Sequence, residues 1–276
     1  MQKTILITGC SSGIGLDAAR GMRDRDWTVF ASCRQQRDCD RMRAEGFESP
    51  LIDYTKPETI TAGLQHVLTA TGGTLDVLFN NGAHGLPGAV EDLPTDALRA
   101  IFETNFFGWH ELTRQVIPVM RAQGHGRIVQ NSSILGLVAF PWRGAYVATK
   151  YAIEGLADTM RIELHDSGIH VVLIEPGPVT SKIRENSIPH FERFVDWKNS
   201  AMSELYESSL LKRLYHSDGP DTFELPASAV TAKLIHACEA RRPRPRYYVT
   251  TPTHIGGFLK RILTTRATDR ILAKLR

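Results

Sequence analysis

Short apolar runs alternate with amphipathic stretches along most of the chain. Residues 3–8, 28–32, 51–53, 75–79, 127–130, 169–174 and 246–250 read as strands, and the apolar run at 75–79 suits a strand covered on both faces. Between them, apolar positions recur at helical spacing: from the glycine-rich turn through Met22, then over 57–71, 95–121, 146–165 and 226–240. Strands alternating with helices predict one α/β domain, a doubly wound parallel sheet with helices on both faces.

Two stretches break the rhythm. Residues 182–225 carry Phe191, Phe194, Trp197, Tyr206 and Tyr215 among charges. An insert this long at the carboxyl edge of a sheet is a lid or binding loop. Residues 251–276 follow the 1–250 domain as a basic amphipathic extension: Phe258, Leu259, Ile262, Leu263, Ile271, Leu272 and Leu275 recur at helical spacing with bases between them. Two readings of this tail stay open. It docks on the body or on a partner subunit, or it lies on an anionic membrane surface.

Charge follows the same division. Ten bases against one acid leave +9 on residues 241–276, and 23 bases against 29 acids leave −6 on the rest. No motif sets aromatics or a recognition helix among these bases, so nucleic acid is not an expected partner. Cys10, Cys33, Cys39 and Cys238 show no CxxC spacing, which points to reduced thiols and no metal site. The chain enters its first strand without a charged-then-apolar leader and has no run of about 18 apolar residues. The expected location is cytoplasmic, with the tail as the one candidate for peripheral membrane contact.

The first strand runs into Gly9-Cys10-Ser11-Ser12-Gly13-Ile14-Gly15 and then a helix. Strand, glycine turn and helix form the setting of a phosphate cradle. Gly9 permits the turn, Gly13 lets main-chain N–H groups approach a pyrophosphate, and Gly15 lets helix and strand pack closely. The second strand ends in Arg34 with no acid to bind a free ribose 2′-hydroxyl. Arg34, assisted by Ser11 or Ser12, suits a 2′-phosphate, so NADP is favoured over NAD. Asp53 suits an adenine amino group or a helix cap near Pro57. Asn81 and Gly82 follow the fourth run, and Pro176, Gly177, Val179 and Ser181 the sixth, at the edge where ligands of open sheets bind.

Tyr146 and Lys150 are four apart and share a helical face. Ser133 lies just past the fifth strand. A hydroxyl facing that pair is equipped to move a proton onto a reducible carbonyl. Asn105, among Phe102, Phe106 and Phe107, is either a satisfied core amide or a positioned active-site group.

With the glycine loop, Asn80-Asn81, Asn105, Ser133, Tyr146-x3-Lys150 and Pro176-Gly177 in order, the chain resembles the short-chain dehydrogenase/reductase family over roughly residues 3–250. Twelve residues separate Ser133 from Tyr146. The loop, residues 174–178 and the insert look most like the hydroxysteroid/retinol dehydrogenase branch, with bacterial aldehyde reductases similar to it. The resemblance implies a Rossmann-type fold and an NADP-dependent oxidoreductase moving hydride between nicotinamide and an apolar alcohol, aldehyde or ketone. It implies that Tyr146 is the general acid/base, that Lys150 lowers the Tyr146 pKa and holds the nicotinamide ribose, that Ser133 holds the substrate oxygen, and that Asn105 holds a water linking Lys150 to solvent. It also implies a homodimer or homotetramer. Leu135, Leu137, Val138, Phe140, Trp142 and Ile183 supply an apolar pocket wall. The chain departs at Gly82-Ala83, where the family usually reads Ala-Gly; Ala83 is small enough to be accommodated. Two rivals are a non-catalytic dinucleotide sensor and a membrane-surface interaction protein built on the tail.

Overall fold

The computed structural model describes residues 2–216 and 219–275. Six strands form one parallel sheet: β1 (Thr4–Ile7), β2 (Thr28–Ala31), β3 (Val77–Asn80), β4 (Gly126–Asn131), β5 (Ile169–Glu175) and β6 (Arg246–Tyr248), in the order β2-β1-β3-β4-β5-β6. The order reverses between β1 and β3, so their carboxyl ends open a crevice there.

Both faces are covered. Against one lie α1 (Gly13–Arg23), α2 (Gln36–Ala44) and α10 (Ser228–Glu239), packed on Ile5, Ile7, Val29, Val77 and Val172. Against the other lie α3 (Pro57–Ala70), α5 (Gly108–Gln123) and α6 (Gly144–Glu163), packed on Leu6, Phe30, Leu78, Ile128 and Leu173. Alternate residues of each strand thus serve opposite cores, which is why the strands are apolar throughout.

The run at 51–53 does not form a ladder strand. Only isolated bridges, Phe30 to Glu48 and Cys33 to Leu51, join this segment to the β2 edge. Pro50 between them lacks the N–H a continuous ladder needs. The long helix expected at 95–121 is α4 (Thr95–Phe102) and α5 joined by a π turn at Glu103–Phe107. That turn adds one residue and re-aims Asn105.

The insert holds α7 (Ile183–Phe194), α8 (Ser203–Leu205), a π turn at Tyr206–Leu210 and α9 (Leu211–Tyr215). Its base is closed by a parallel bridge between Val179 and Leu225. Phe191, Tyr206, Leu210 and Leu214 are buried in a third cluster with Leu86, Ala89, Leu93, Ala97 and Ile101. The Tyr206 hydroxyl donates to Asp92 (2.8 Å) and accepts from Ala89 N (2.8 Å), fastening the insert to the body. After β6 come α11 (Thr251–Ile262) and α12 (Thr265–Leu272). No helix among the described residues is long and apolar enough to cross a membrane.

Candidate active site

The glycine turn meets the end of β3 almost main chain to main chain. Gly9 stands at φ +70°, and a Cβ there would lie 2.6 Å from Gly82 Cα. A Cβ on Gly15 would strike Gly9 O and lie 2.7 Å from Asn81 Nδ2. Gly13 faces Ser181, whose Cβ would be 3.3 Å from a Cβ at that position. Ser12 caps α1 with extended backbone but makes no side-chain cap bond, which leaves its hydroxyl for a ligand at the helix N-terminus. The Ser32 hydroxyl at the end of β2 is buried without a partner. A cradle that any side chain would fill, with free hydroxyls beside it, fits a dinucleotide.

The cradle is held by contacts the sequence reading missed. The Thr8 hydroxyl accepts from Asn81 N (2.9 Å) and Gly82 N (3.2 Å), and the Tyr54 hydroxyl bridges Thr8 Oγ1 (2.8 Å) and Asn80 Oδ1 (2.7 Å). Asn81 Nδ2 donates to Thr8 O (2.9 Å), and Asn131 Nδ2 donates to Asn81 Oδ1 (2.8 Å). Asn81 is therefore a strut between three strand ends. Trp109 Nε1 donates to Gly82 O (2.8 Å). These partners lie on separate elements, so no local spacing announces them. Arg41 was also missed: its guanidinium donates to Ser11 O (2.5 Å).

Asp53 closes its own turn, with Oδ1 accepting from Thr55 N (3.1 Å) and Thr55 Oγ1 (2.8 Å). The N-cap of α3 is Lys56, not Asp53. Ala83 packs partly buried against the α3/α5/α6 core, so the methyl is accommodated.

At the adjoining ends of β4 and β5, the Ser133 hydroxyl accepts from Leu135 N (3.1 Å) and lies 3.4 Å from Pro176 O. It also acts on Tyr146. Burial pushes the Tyr146 phenol above its ordinary range, and the Ser133 hydroxyl pulls it part of the way back. Lys150 is 1% exposed. Its Nζ donates to Asn131 O (2.7 Å) and stands 4.5 Å from the Trp109 ring centroid and 5.4 Å from that of Tyr146. Burial depresses Lys150 to about 7, with Glu154 opposing. Asn105 is wholly buried; its Oδ1 accepts from His84 N (3.0 Å) and its Nδ2 donates to His84 O (2.9 Å). It makes no hydrogen bond to Lys150 among the described residues.

One turn past Lys150, Glu154 enters a charged cluster. Arg246 Nη1 binds Glu154 and Glu175 Oε1 (2.6 Å), and its Nη2 binds both oxygens of Asp158 (2.8 Å each). Glu154 Oε1 and Glu175 Oε2 are buried without a partner. Glu175 is pushed up to about 8, first by burial and then by Glu154.

On the substrate side, Tyr146 and Trp142 pack against the insert cluster, and the Trp142 and Tyr206 rings are 4.8 Å apart. The His84 and His190 rings stack at 3.7 Å and tie α7 to the loop after β3. Leu137 is buried, and Phe140 and Ile183 are more than a third exposed.

The sequence matches the family model for short chain dehydrogenase over residues 3–190. It is 39% identical over 272 residues to the oxidoreductase YbbO of Escherichia coli K12, covering 99% of this chain and 94% of that protein. Against retinol dehydrogenase 16 of Rattus norvegicus, identity is 33% over 89% of this chain and 80% of the relative. A short-chain dehydrogenase from Streptomyces avermitilis superposes with a TM-score of 0.77 at 26% identity, covering 100% of this chain and 97% of that one. The chain therefore belongs to the short chain dehydrogenase family and is an NAD(P)-dependent oxidoreductase of its retinol dehydrogenase-like branch.

Proposed function

From that membership, we propose that the enzyme is an NADP-dependent oxidoreductase acting on the carbonyl or alcohol of a largely apolar molecule. The observation that carries this reading is the placement of Ser133, just past β4, with Tyr146 near the start of α6, on the side of the sheet that holds the glycine cradle. Bound nicotinamide supplies or accepts the hydride. The chain supplies the proton and the position. In reduction, Tyr146 Oη gives its proton to the carbonyl oxygen, and Ser133 Oγ–H stabilises the negative charge gathering there. Lys150, held from below by Asn131 O, presents its remaining donors to the ribose. Asn105 would act through placement, its side chain fixing the His84 main chain while the π turn frees a carbonyl toward a water near Lys150.

The Gly9–Gly15 turn, with Ser11, Ser12, Gly13 and Ile14, would take the pyrophosphate. Asn81, Gly82, Pro176, Gly177, Val179 and Ser181 would line the nicotinamide half, and Asp53 would reach the adenine. Arg34 supports NADP because the strand end offers no acid to a ribose diol. The insert at 182–225 serves as the lid. The exposed Phe107 on the π turn before α5, with Leu156 and Ile162 on α6, supports pairing of α5 and α6 in a homodimer or homotetramer. In the tail, Gly256 of α11 faces Ile134 and Val138, which supports docking on the body. The outward Ile255, Phe258 and Ile262 support a second contact, with an anionic membrane surface of an otherwise cytoplasmic enzyme.

The test is initial rates with NADPH and NADH against an aldehyde, ketone, steroid and retinoid panel. NADPH-dependent turnover is expected, and a clear NADH preference overturns the role of Arg34. Co-sedimentation with phosphatidylglycerol vesicles, with and without residues 251–276, tests the tail.

A further inference from the structure

Arg143 immediately precedes α6 and comes three residues before Tyr146. Its main chain is pinned. It pairs with Gly88 in a parallel bridge, its N–H donates to Phe140 O (3.3 Å), and its carbonyl accepts from Val147 N (2.8 Å). Trp142 before it stands at φ +65°, a left-handed conformation that a bulky residue keeps only where its surroundings enforce it. The Arg143 side chain is therefore launched from a fixed point beside the reacting phenol.

That side chain is partly buried and has no carboxylate partner among the described residues. Burial depresses its guanidinium to about 10; Arg213 and Arg184 push the same way, and Asp221 opposes. All three neighbours belong to the insert. Asp221 is already shared: its Oδ2 accepts from Arg184 Nη2 (3.1 Å) and from Arg213 Nη2 (2.8 Å). Trp142, which precedes it, lies in an apolar cluster with Leu86, Ile188, Phe191 and Leu210. A guanidinium withdrawn from water without an anion is unfavourable, and its planar fork matches a carboxylate. A phosphate dianion would call for a second free cation, whereas Arg184 and Arg213 are engaged by Asp221.

We propose that the natural substrate carries a carboxylate on its apolar body, and that Arg143 binds that carboxylate under the insert while Tyr146 faces the carbonyl. The inference rests on the reading of the site as a carbonyl/alcohol oxidoreductase. Arg143 is then a specificity-determining residue.

The experiment compares 8-oxooctanoate with octanal, using NADPH and the full chain, in wild type, Arg143→Gln and Arg143→Lys. The readout is the ratio of kcat/KM for the acid to that for the neutral aldehyde. Wild type is expected to favour the acid at least tenfold. Arg143→Gln should cut that ratio at least tenfold, mainly through KM, and Arg143→Lys should restore part of it. A ratio near one in wild type, or a ratio unmoved by Arg143→Gln, overturns the proposal. Melting temperature guards against a folding artefact: Arg143→Gln should melt no lower than wild type, because the charge it removes has no acid partner among the described residues. A dead-end ligand separates the two readings. Octanoate should raise the melting temperature of the wild-type NADP complex more than octanol does, and should lose that advantage in Arg143→Gln. If octanoate behaves so while neither aldehyde is reduced, the carboxylate site stands and the reaction assignment falls. If octanoate gives no Arg143-dependent shift, the carboxylate site falls whatever the rates show.

Discussion

On one side of the cleft, Gly9 and Gly15 lie against Asn81 and Gly82 with no room for a further carbon, and Gly13 faces Ser181. On the other, Trp142 and Tyr146 pack against a helical insert whose base is closed by the Val179–Leu225 bridge. The first side is made of main chain, fixed by the Thr8, Tyr54 and Asn131 bonds to strand ends. The second is made of side chains from distant segments, held by one buried cluster and the bond from Tyr206 to Asp92. On the proposed reading, the dinucleotide side would be recognised chiefly by backbone shape, and the substrate side by the side chains the insert brings.

This contrast can be tested by damaging each side separately. Gly15→Val should act most strongly. Its branched side chain would collide with Gly9 O and Asn81, so NADP binding by isothermal titration should disappear, along with several degrees of melting temperature. Binding at wild-type affinity would show that the cradle is looser than its contacts indicate. Tyr146→Phe should lower kcat by about 10²- to 10⁴-fold, the usual worth of a positioned proton donor. Its affinity for NADP should stay within a few-fold, because the cradle is untouched; an equal loss of both would merge the two sides. Arg34→Ala should move the NADPH/NADH ratio of kcat/KM by roughly ten- to a hundredfold, as expected for a lost charge-assisted bond, and leave the ranking of substrates unchanged.

The smallest effect concerns Glu175, at the end of β5 in the Arg246 cluster. Its pKa is raised from an ordinary 4.5 to about 8, so the folded chain holds a proton there that the unfolded chain releases. Its contribution to stability is complete below pH 4.5 and is lost as pH rises toward 8. Lys150, depressed to about 7, acts in the opposite sense only above that value. Between pH 5 and 7 the wild type should lose up to about 1.4 kcal/mol per pH unit from Glu175, the cost of one proton. Glu175→Gln mimics the protonated form and should flatten that slope in urea titrations; an unchanged slope would place the proton elsewhere in the cluster.

The same division governs what the sequence could reveal. Strand and helix periods, the glycine spacing and the Tyr146/Lys150 pair are local patterns, and each reappears in the fold at or near its expected position. The third run failed because one proline, Pro50, interrupts the pairing of an edge segment that otherwise looks like its neighbours. The π turn at Asn105 has no period of its own, so the 95–121 stretch reads as one helix. Tyr54, Trp109 and His84 gain their roles from partners on other elements, and a single sequence shows none of those pairings. Arg143 was passed over for the same reason: its environment comes from Arg184, Arg213 and Asp221, brought over it by the insert.

The Val179–Leu225 bridge bears on how such an enzyme can be re-purposed. Because Thr180 N donates to Leu225 O (3.0 Å) and Leu225 N to Pro178 O (3.2 Å), the whole excursion is clasped at its neck and returns to the residue row it left. A cassette exchanged between residue 182 and Leu225 would keep the register of β5 and the seat of Ser181 on the glycine turn. New specificities can then be grafted as one closed loop, and the cut sites are already marked by that clasp.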